Sequence, residues 1–237
     1  MVQPLYKKAK YGIIIQARMG SKRLPGKILK KINTKSILDF ILYFFRNNSS
    51  SLIKEYVVAT SIFKRDEKII DWCKINKINY FRASEKNVLS RYFYCAKKYN
   101  IQNIIRLTAD NPFVDFAELN KMIKIFEKKN YDYISNQSFL PKGMGCEIIT
   151  FEALKKSFNK AKKLNQKEHI NEYILENKKE FKIKILKNNK KKMYSKLNFS
   201  IDTIHDYNYC SSIINNISQP ITIKKIIKYA IIQRKKF

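Results

Sequence analysis

Short apolar runs alternate with amphipathic stretches over the first 135 residues. Runs rich in β-branched residues predict strands, and apolar residues that recur every three or four positions predict helices with one buried face. The predicted strands are Tyr11–Gln16, Glu55–Thr60, Asn79–Arg82, Asn103–Thr108 and Tyr131–Ser135. The predicted helices are Ser36–Arg46, Asp66–Asn76, Val88–Tyr99 and Glu118–Lys129. This alternation predicts an α/β fold with a mainly parallel sheet and helices on both faces.

The second half of the chain is less regular. An arm or loop from residue 136 precedes a strand that ends near Thr150. Further predicted elements are helices at Phe151–Lys163, Glu168–Glu176, Tyr207–Asn216 and Ile221–Gln233, and strands at Phe181–Leu186 and Leu197–Ile201. No linker divides the chain, so we expect a frayed start over residues 1–10 and one domain over residues 11–237.

Composition narrows the class of protein. The 237 residues are 45% apolar, which is enough for a full core, and no run is long enough to span a bilayer. The start of the chain lacks the apolar segment of a signal peptide, so we expect a cytoplasmic protein without membrane insertion. The four cysteines are scattered without a C-x-x-C pair, which favours buried free thiols over disulfides or a zinc site.

The net charge of +30 raises the alternative of a nucleic-acid-binding protein. However, 49 residues are basic and only eight of them are arginine, the residue that base and phosphate recognition usually recruits. The lysines are spread along the chain. We therefore interpret most of them as solvated surface and expect no nucleic-acid partner.

The loop after the first predicted strand, "ARMGSKRLPGK", carries two glycines, a proline and four cations. A P-loop needs G-x-x-x-x-G-K-[ST], but Gly20 and Gly26 are one residue too far apart and Lys27 is followed by Ile28. The G-x-G-x-x-G spacing of a dinucleotide-binding fold is also absent. What remains is a long cationic loop at the carboxyl end of a strand, where parallel sheets bind ligands.

This loop resembles the amino-terminal signature of the sugar cytidylyltransferases, whose centre reads A-R-x-x-S-x-R-L-P-G-K. The likeness is to the branch that includes spore coat polysaccharide biosynthesis protein F and proteins labelled acylneuraminate or Kdo cytidylyltransferase. Other segments follow in the family's order, among them "RASEKNVLSRY", "IIRLTADNPFVD", "KEHINEYI" and "NFSIDTIHDY". The resemblance implies a Rossmann-like, GT-A-like nucleotidyltransferase fold with a small arm and dimerisation region over residues 136–176, and a homodimer.

The implied reaction is transfer of CMP from CTP to an acceptor oxygen with release of pyrophosphate. The resemblance implies a nucleotide-binding set made of Ala17, Arg18, Ser21, Arg23, Lys27, Ser84 and Thr108. Within this set, Arg18, Arg23 and Lys27 would neutralise phosphate charge. The expected catalytic residues are Arg18, Lys27 and, from outside the set, Asp110. Lys22 occupies a variable place in the family pattern and is interpreted as a generic surface lysine.

Asp110 and Asp202 each follow a predicted strand, and by resemblance they would hold Mg²⁺ against the phosphates. His169 and Glu147 match positions near the acceptor, although Asn171 replaces the usual threonine of the His169 segment. The expected acceptor is an acidic sugar for surface polysaccharide synthesis. A non-sugar phosphorylated metabolite is the alternative acceptor, and Arg82 and Arg106 remain without an assigned role.

Overall fold

The computed structural model describes residues 11–187 and 197–234. Its strands are β1 (Tyr11–Gln16), β2 (Lys31–Ile32), β3 (Lys35–Ser36), β4 (Ile53–Ser61), β5 (Asn79–Ala83), β6 (Asn103–Thr108), β7 (Tyr133–Ser135), β8 (Glu147–Thr150) and β9 (Ile183–Ile185). Its helices are α1 (Ile37–Asn48), α2 (Glu67–Asn76), α3 (Val88–Lys98), α4 (Phe116–Lys129), α5 (Phe151–Lys160), α6 (Leu164–Glu168), α7 (Glu172–Glu176), α8 (Ile204–Asn216) and α9 (Ile223–Arg234).

Seven strands form one twisted sheet in the order β5-β4-β1-β6-β8-β7-β9. Neighbouring strands from β5 to β6 run parallel, and β8 runs antiparallel to both β6 and β7. The mainly parallel α/β fold predicted from the alternation is thus confirmed. β2 and β3, which the pattern did not predict, form a separate two-stranded ribbon around Asn33, whose backbone is left-handed.

The core lies on both faces of the sheet, and the central strand β1 is therefore buried along most of its length. On one face, Ile13 and Ile15 pack with apolar residues of α1, α4 and α8. On the other face, Ile14 packs with residues of α3, α5 and α7. Alternate side chains of a strand point to opposite faces, so a central strand covered by helices on both sides is apolar throughout.

Two predicted elements are wrong. The helix expected at Glu168–Glu176 is instead two short helices, α6 and α7, separated by a turn in which His169 has extended backbone angles. The break buries Ile170 completely in the core. The strand expected at Leu197–Ile201 does not form: Asn198 makes only an isolated bridge to Lys142.

The segment over residues 136–146 lies against the body of the protein. The Asn136 side chain accepts a hydrogen bond from the Cys146 amide at 2.7 Å, and Met144 and Cys146 are fully buried. Its role in dimerisation stays a prediction. All four cysteines are buried and unpaired, as expected. Within the described ranges, no helix has the length and apolar character needed to cross a membrane.

Candidate active site

A cavity of about 470 Å³ opens at the carboxyl ends of β1 and β6. This volume lies within the range of small-molecule sites. Five cationic and four anionic side chains line it, and neighbouring charges of both signs make it strongly polar. The lining residues are Gln16, Arg18, Gly20, Ser21, Lys22, Arg23, Lys27, Ile28, Glu85, Arg106, Thr108, Ala109, Asp110, Glu168, His169 and Asp202.

The loop after β1 is folded back on itself and is held from below. The Met19 carbonyl accepts hydrogen bonds from the amides of Ser21, at 2.9 Å, and Gly26, at 3.0 Å. Gly26 has a left-handed backbone, with φ of 68°, which an L residue with a side chain rarely adopts. The chain then enters a short 3₁₀ turn at Lys27, so the glycine sets the direction in which that lysine leaves the loop.

The fully buried carboxylate of Asp66 anchors this loop to the neighbouring strand end. It accepts hydrogen bonds from the Met19 amide at 2.8 Å, the Thr60 hydroxyl at 3.0 Å and the Ser61 amide at 3.2 Å, and also from the Ser61 hydroxyl. Burial acts to raise the pKa of Asp66, but the hydrogen bonds from Ser61, Met19 and Thr60 outweigh it and hold the pKa below its usual value. Asp66 is therefore a fixed anion beneath the loop.

Lys27 brings two distant carboxylates together. Its side-chain nitrogen, in a residue only 7% exposed, donates to Asp202 Oδ1 at 2.9 Å, Asp110 Oδ2 at 3.2 Å and the Ile201 carbonyl at 2.7 Å. Arg23 also contacts Asp202 Oδ1, at 3.3 Å. Burial opposes ionisation of Asp202, but Lys27 and Arg23 outweigh it, and the pKa of this carboxyl is lowered. Both aspartates stay partly exposed at the cavity wall.

A second charged cluster lies on the β5 side of the cavity. Glu85 pairs with Arg18, at 3.3 Å, and with Arg65. Beneath it, the fully buried Arg91 donates from Nη1 to the Ser84 carbonyl at 2.6 Å. Arg91 therefore supports the turn that carries Ser84 and Glu85.

A third cluster lies on the opposite side, between β6 and β8. Arg106 Nη1 donates to Glu147 Oε2 at 2.7 Å, and Asn171 Nδ2 donates to Glu147 Oε1 at 2.7 Å. The Tyr133 hydroxyl also donates to Glu147. Burial alone would lower the pKa of Arg106, but the Glu147 carboxylate outweighs that effect and raises it. Arg106, which the sequence left without an assigned role, is thus ion-paired and also lines the cavity.

The structure brings most of the predicted site residues to this one cavity. Those that line it are Arg18, Ser21, Arg23, Lys27, Thr108, Asp110, His169 and Asp202. Three others do not line it. Ala17 is buried and its amide donates to the Ala59 carbonyl at 3.1 Å, Ser84 is exposed beside the cavity-lining Glu85, and Glu147 is fully buried.

Sequence reasoning missed several residues of the site. Glu85 and Lys22 line the cavity, and Asp66 holds the loop from beneath. The signal for Asp66 was weak: it follows the polar pair Thr60–Ser61 at the end of a strand, where a carboxylate can accept hydrogen bonds from several nearby donors. Nothing local marks Glu85 as the partner of Arg18, because 67 positions separate them.

The arrangement suits chemistry on a polyphosphate. The cations of the loop can neutralise phosphate oxygens, and the glycines let the backbone come close to them. No group of three or more histidine, cysteine or acidic side chains in the described part of the chain could enclose a metal ion. Asp110 and Asp202, which converge on one ammonium group, fit instead the pair of carboxylates that holds Mg²⁺ when phosphate oxygens and water complete its shell.

Comparison with known proteins gives consistent results. Residues 12–229 match the sequence profile of the family described as Cytidylyltransferase. The chain is 32% identical over 203 residues to the spore coat polysaccharide biosynthesis protein SpsF of Bacillus subtilis, covering 82% of each chain. It is 34% identical to a cytidylyltransferase of known structure from Leptospira borgpetersenii, with a TM-score of 0.87 over 96% of this chain and 95% of that one.

A more distant likeness concerns the fold alone. CMP:2-keto-3-deoxy-manno-octonic acid synthetase, solved as a complex with CTP, is 14% identical to the chain. The two superpose with a TM-score of 0.64 over 87% of this chain and 99% of that one. The sheet described above is therefore the nucleotidyltransferase sheet.

Proposed function

The chain belongs to the cytidylyltransferase family, and on that premise we propose that it transfers CMP from CTP to a hydroxyl group of an acidic sugar. In this reaction the acceptor oxygen forms a bond to the α-phosphorus of CTP. The bond from the α-phosphorus to the oxygen that bridges to the β-phosphorus breaks, pyrophosphate leaves, and the acceptor hydroxyl loses its proton. By likeness to the Bacillus subtilis relative, the product would serve surface polysaccharide synthesis.

The observation that carries this proposal is the cluster of Lys27, Asp110 and Asp202, which lines the cavity together with the other cations of the loop after β1. A triphosphate repels an incoming nucleophile, and the departing pyrophosphate gathers negative charge. Arg18, Arg23 and Lys27 would reduce both effects. Asp110 and Asp202 would hold Mg²⁺, which when bound supplies further neutralisation of phosphate charge.

The nucleoside would lie on the β5 side of the cavity, beside Ser84 and Glu85. Arg91 donates to the Ser84 carbonyl from below, so this turn is held in place before a nucleotide arrives. The acceptor would lie on the other side, near His169. The Ala17 amide is bonded to Ala59, so we assign no phosphate contact to it.

The test is a pyrophosphate assay with each of the four nucleoside triphosphates, Mg²⁺ and a panel of sugar acids and phosphorylated metabolites. We expect release with CTP and a sugar acid. Release with ATP or GTP but not with CTP would contradict the nucleotide assignment. Release with CTP and only a phosphorylated metabolite would replace the proposed acceptor class.

The metal assignment has its own test. Asp110→Asn should lower turnover by orders of magnitude, whereas Asp71→Asn, which makes the same change at an exposed position on α2, should leave turnover near that of the wild type. Equal turnover of the two variants would contradict a metal-binding role for Asp110.

A further inference from the structure

Arg106 presents unsatisfied hydrogen-bond donors at the floor of the cavity. Its side chain is 14% exposed and lines the cavity, and Nη1 is bonded to Glu147. Nε is buried and has no hydrogen-bond partner among the described residues. A guanidinium group also binds a carboxylate oxygen through a single charge-assisted N–H donor. Nη1 is bonded to Glu147 and Nε is enclosed, so Nη2 is the donor of Arg106 that remains for a ligand.

Glu147 holds Arg106 in place, and its own side chain is closed off from the cavity. Its two oxygens accept hydrogen bonds from Arg106 on β6, Tyr133 on β7 and Asn171 at the start of α7. The side chain is 0% exposed, so a ligand in the cavity does not reach it. Asn171 lies two residues after His169, so the same carboxylate also fixes the turn that brings His169 to the cavity wall.

The position of this cluster in the sheet separates it from the nucleotide side. The loops that carry Ser84 and Arg18 follow β5 and β1, whereas Glu147 lies on β8, beyond β6 in the strand order. A nucleoside beside β5 with its phosphates over β1 and β6 leaves the β8 side of the cavity free. Arg106 is on β6, but its side chain is bonded to Glu147 on β8 and so extends toward that side. Glu168 and His169 line the same cavity.

We propose that Arg106 binds a carboxylate group of the acceptor and that Glu147 is a positioning residue for Arg106 and the His169 turn. The Arg106–Glu147 pair has no net charge, and Nη2 of Arg106 remains as a charged donor. A monoanion such as a carboxylate suits this arrangement, whereas a phosphate dianion is better served by several cations. Glu147, which the resemblance placed near the acceptor, acts through Arg106 in this proposal.

This inference rests on the proposed function, and a binding experiment without turnover tests it separately. The wild-type chain is saturated with CMP and titrated by calorimetry with 3-deoxy-D-manno-octulosonate or N-acetylneuraminate, each compared with its methyl ester. The ester keeps the sugar and removes the charge. The wild type should bind at least one of the acids and bind its ester at least about tenfold more weakly.

A set of variants distinguishes the loss of carboxylate binding by Arg106 from a general loss of stability. Arg106→Met alone leaves Glu147 buried without its cation and risks unfolding, so the double variant Arg106→Met, Glu147→Gln is tested beside it. Both should bind the acid about tenfold more weakly while their affinity for CTP with Mg²⁺ stays within about twofold of the wild type. Glu147→Gln alone should also weaken binding of the acid and not of CTP; a purely structural role would weaken both.

Three outcomes would overturn the inference: the wild type binds no acid, the double variant binds the acid as the wild type does, or CTP affinity falls in parallel with acid affinity. The proposed function is judged by pyrophosphate release instead. Release with CTP and a phosphorylated metabolite, without binding of sugar acids, would retain cytidylyl transfer and reject the carboxylate subsite. Binding of an acid through Arg106 without release from CTP would do the reverse.

Discussion

Replacement of Asp66 by asparagine should release the loop after β1 while the fold persists. All the groups that contact this carboxylate donate hydrogen bonds: the amides of Met19 and Ser61 and the hydroxyls of Thr60 and Ser61. Asparagine offers one acceptor oxygen and one NH₂ donor. Hydroxyls can rotate to accept from that NH₂ group, but a backbone amide cannot. The Met19 amide alone donates to Oδ1, whereas Oδ2 accepts from the Ser61 amide and from both hydroxyls. The placement that loses fewest bonds keeps the oxygen at Oδ2 and turns the NH₂ group toward Met19, which breaks the loop anchor.

The magnitude follows from the bonds that are lost. One charge-assisted hydrogen bond contributes about 1.5–3 kcal/mol, and a donor now faces the Met19 amide. We expect Asp66→Asn to lower the free energy of unfolding by about 2–3 kcal/mol at neutral pH. For a chain of this size, that corresponds to a fall in Tm of about 4–12 °C. The affinity for CTP with Mg²⁺ should fall as well, because the loop that carries Arg18 and Lys27 is no longer fixed.

The pH dependence supplies a signed check. The pKa of Asp66 is lowered in the folded state from an unfolded value of 3.8, so the stabilisation is fully present above that value and is lost as the pH falls through the lower folded pKa. The difference in stability between the wild type and Asp66→Asn should be constant from about pH 7 to pH 5 and should narrow below about pH 4.

Denaturant unfolding followed by circular dichroism measures the stability, and calorimetry measures CTP affinity. Asp71→Asn is the matched control, since it makes the same change in charge at an exposed position five residues further along the chain. If Asp66→Asn unfolded at the same denaturant concentration as this control, or bound CTP equally well, the anchoring role of Asp66 would be refuted.

Three further predictions concern other parts of the molecule. Lys27→Met should lower the free energy of unfolding by about 2–4 kcal/mol because it leaves two carboxylates without their shared cation, and added Mg²⁺ should recover part of this loss in thermal scans; a wild-type Tm would contradict it. Gly143→Ala should destabilise the fold by about 2–3 kcal/mol, since φ is 88° and the new Cβ would lie 2.6 Å from a backbone nitrogen. Gly20→Ala is the control in the same unfolding assay and should have little effect, because its new Cβ would meet only a flexible side chain. Burial raises the pKa of Cys73 and Cys95 to about 12, so these thiols should react with a disulfide reagent only after unfolding, and reaction of the native protein would show that they are accessible.

Several features of the site were predictable because they are local. β1 and β6 have the predicted bounds, Tyr11–Gln16 and Asn103–Thr108, since a fully buried parallel strand is an uninterrupted apolar run. Once both strands are placed, the loop after Gln16 and the carboxylate of Asp110 must lie at the same edge of the sheet. The resemblance then identified Arg18, Ser21, Arg23 and Lys27, which line the cavity, but it missed Lys22 and included Ala17, which does not line it.

The second half of the chain was predicted less well, because tertiary packing overrides local preference there. The pattern over 168–176 suits a helix, but a continuous helix would not bury Ile170 and present His169 to the cavity, so the chain breaks into α6 and α7. The segment Leu197–Ile201 alternates apolar and polar residues, which is typical of a strand. It packs beside the loop after β6, where the Ile201 amide bonds to the Asp110 carbonyl at 2.9 Å, instead of joining a sheet.

The sequence by itself determined the class of fold, the cationic loop at the end of β1 and the carboxylate at the end of β6. Only the tertiary structure decided the partnerships that give these residues their character. Lys27 meets carboxylates 83 and 175 positions away, and Glu147 is buried against Arg106 instead of facing the cavity. The physical reason is that strand and helix preferences act between near neighbours, whereas the charge state and orientation of a side chain depend on groups that meet only after the chain has folded.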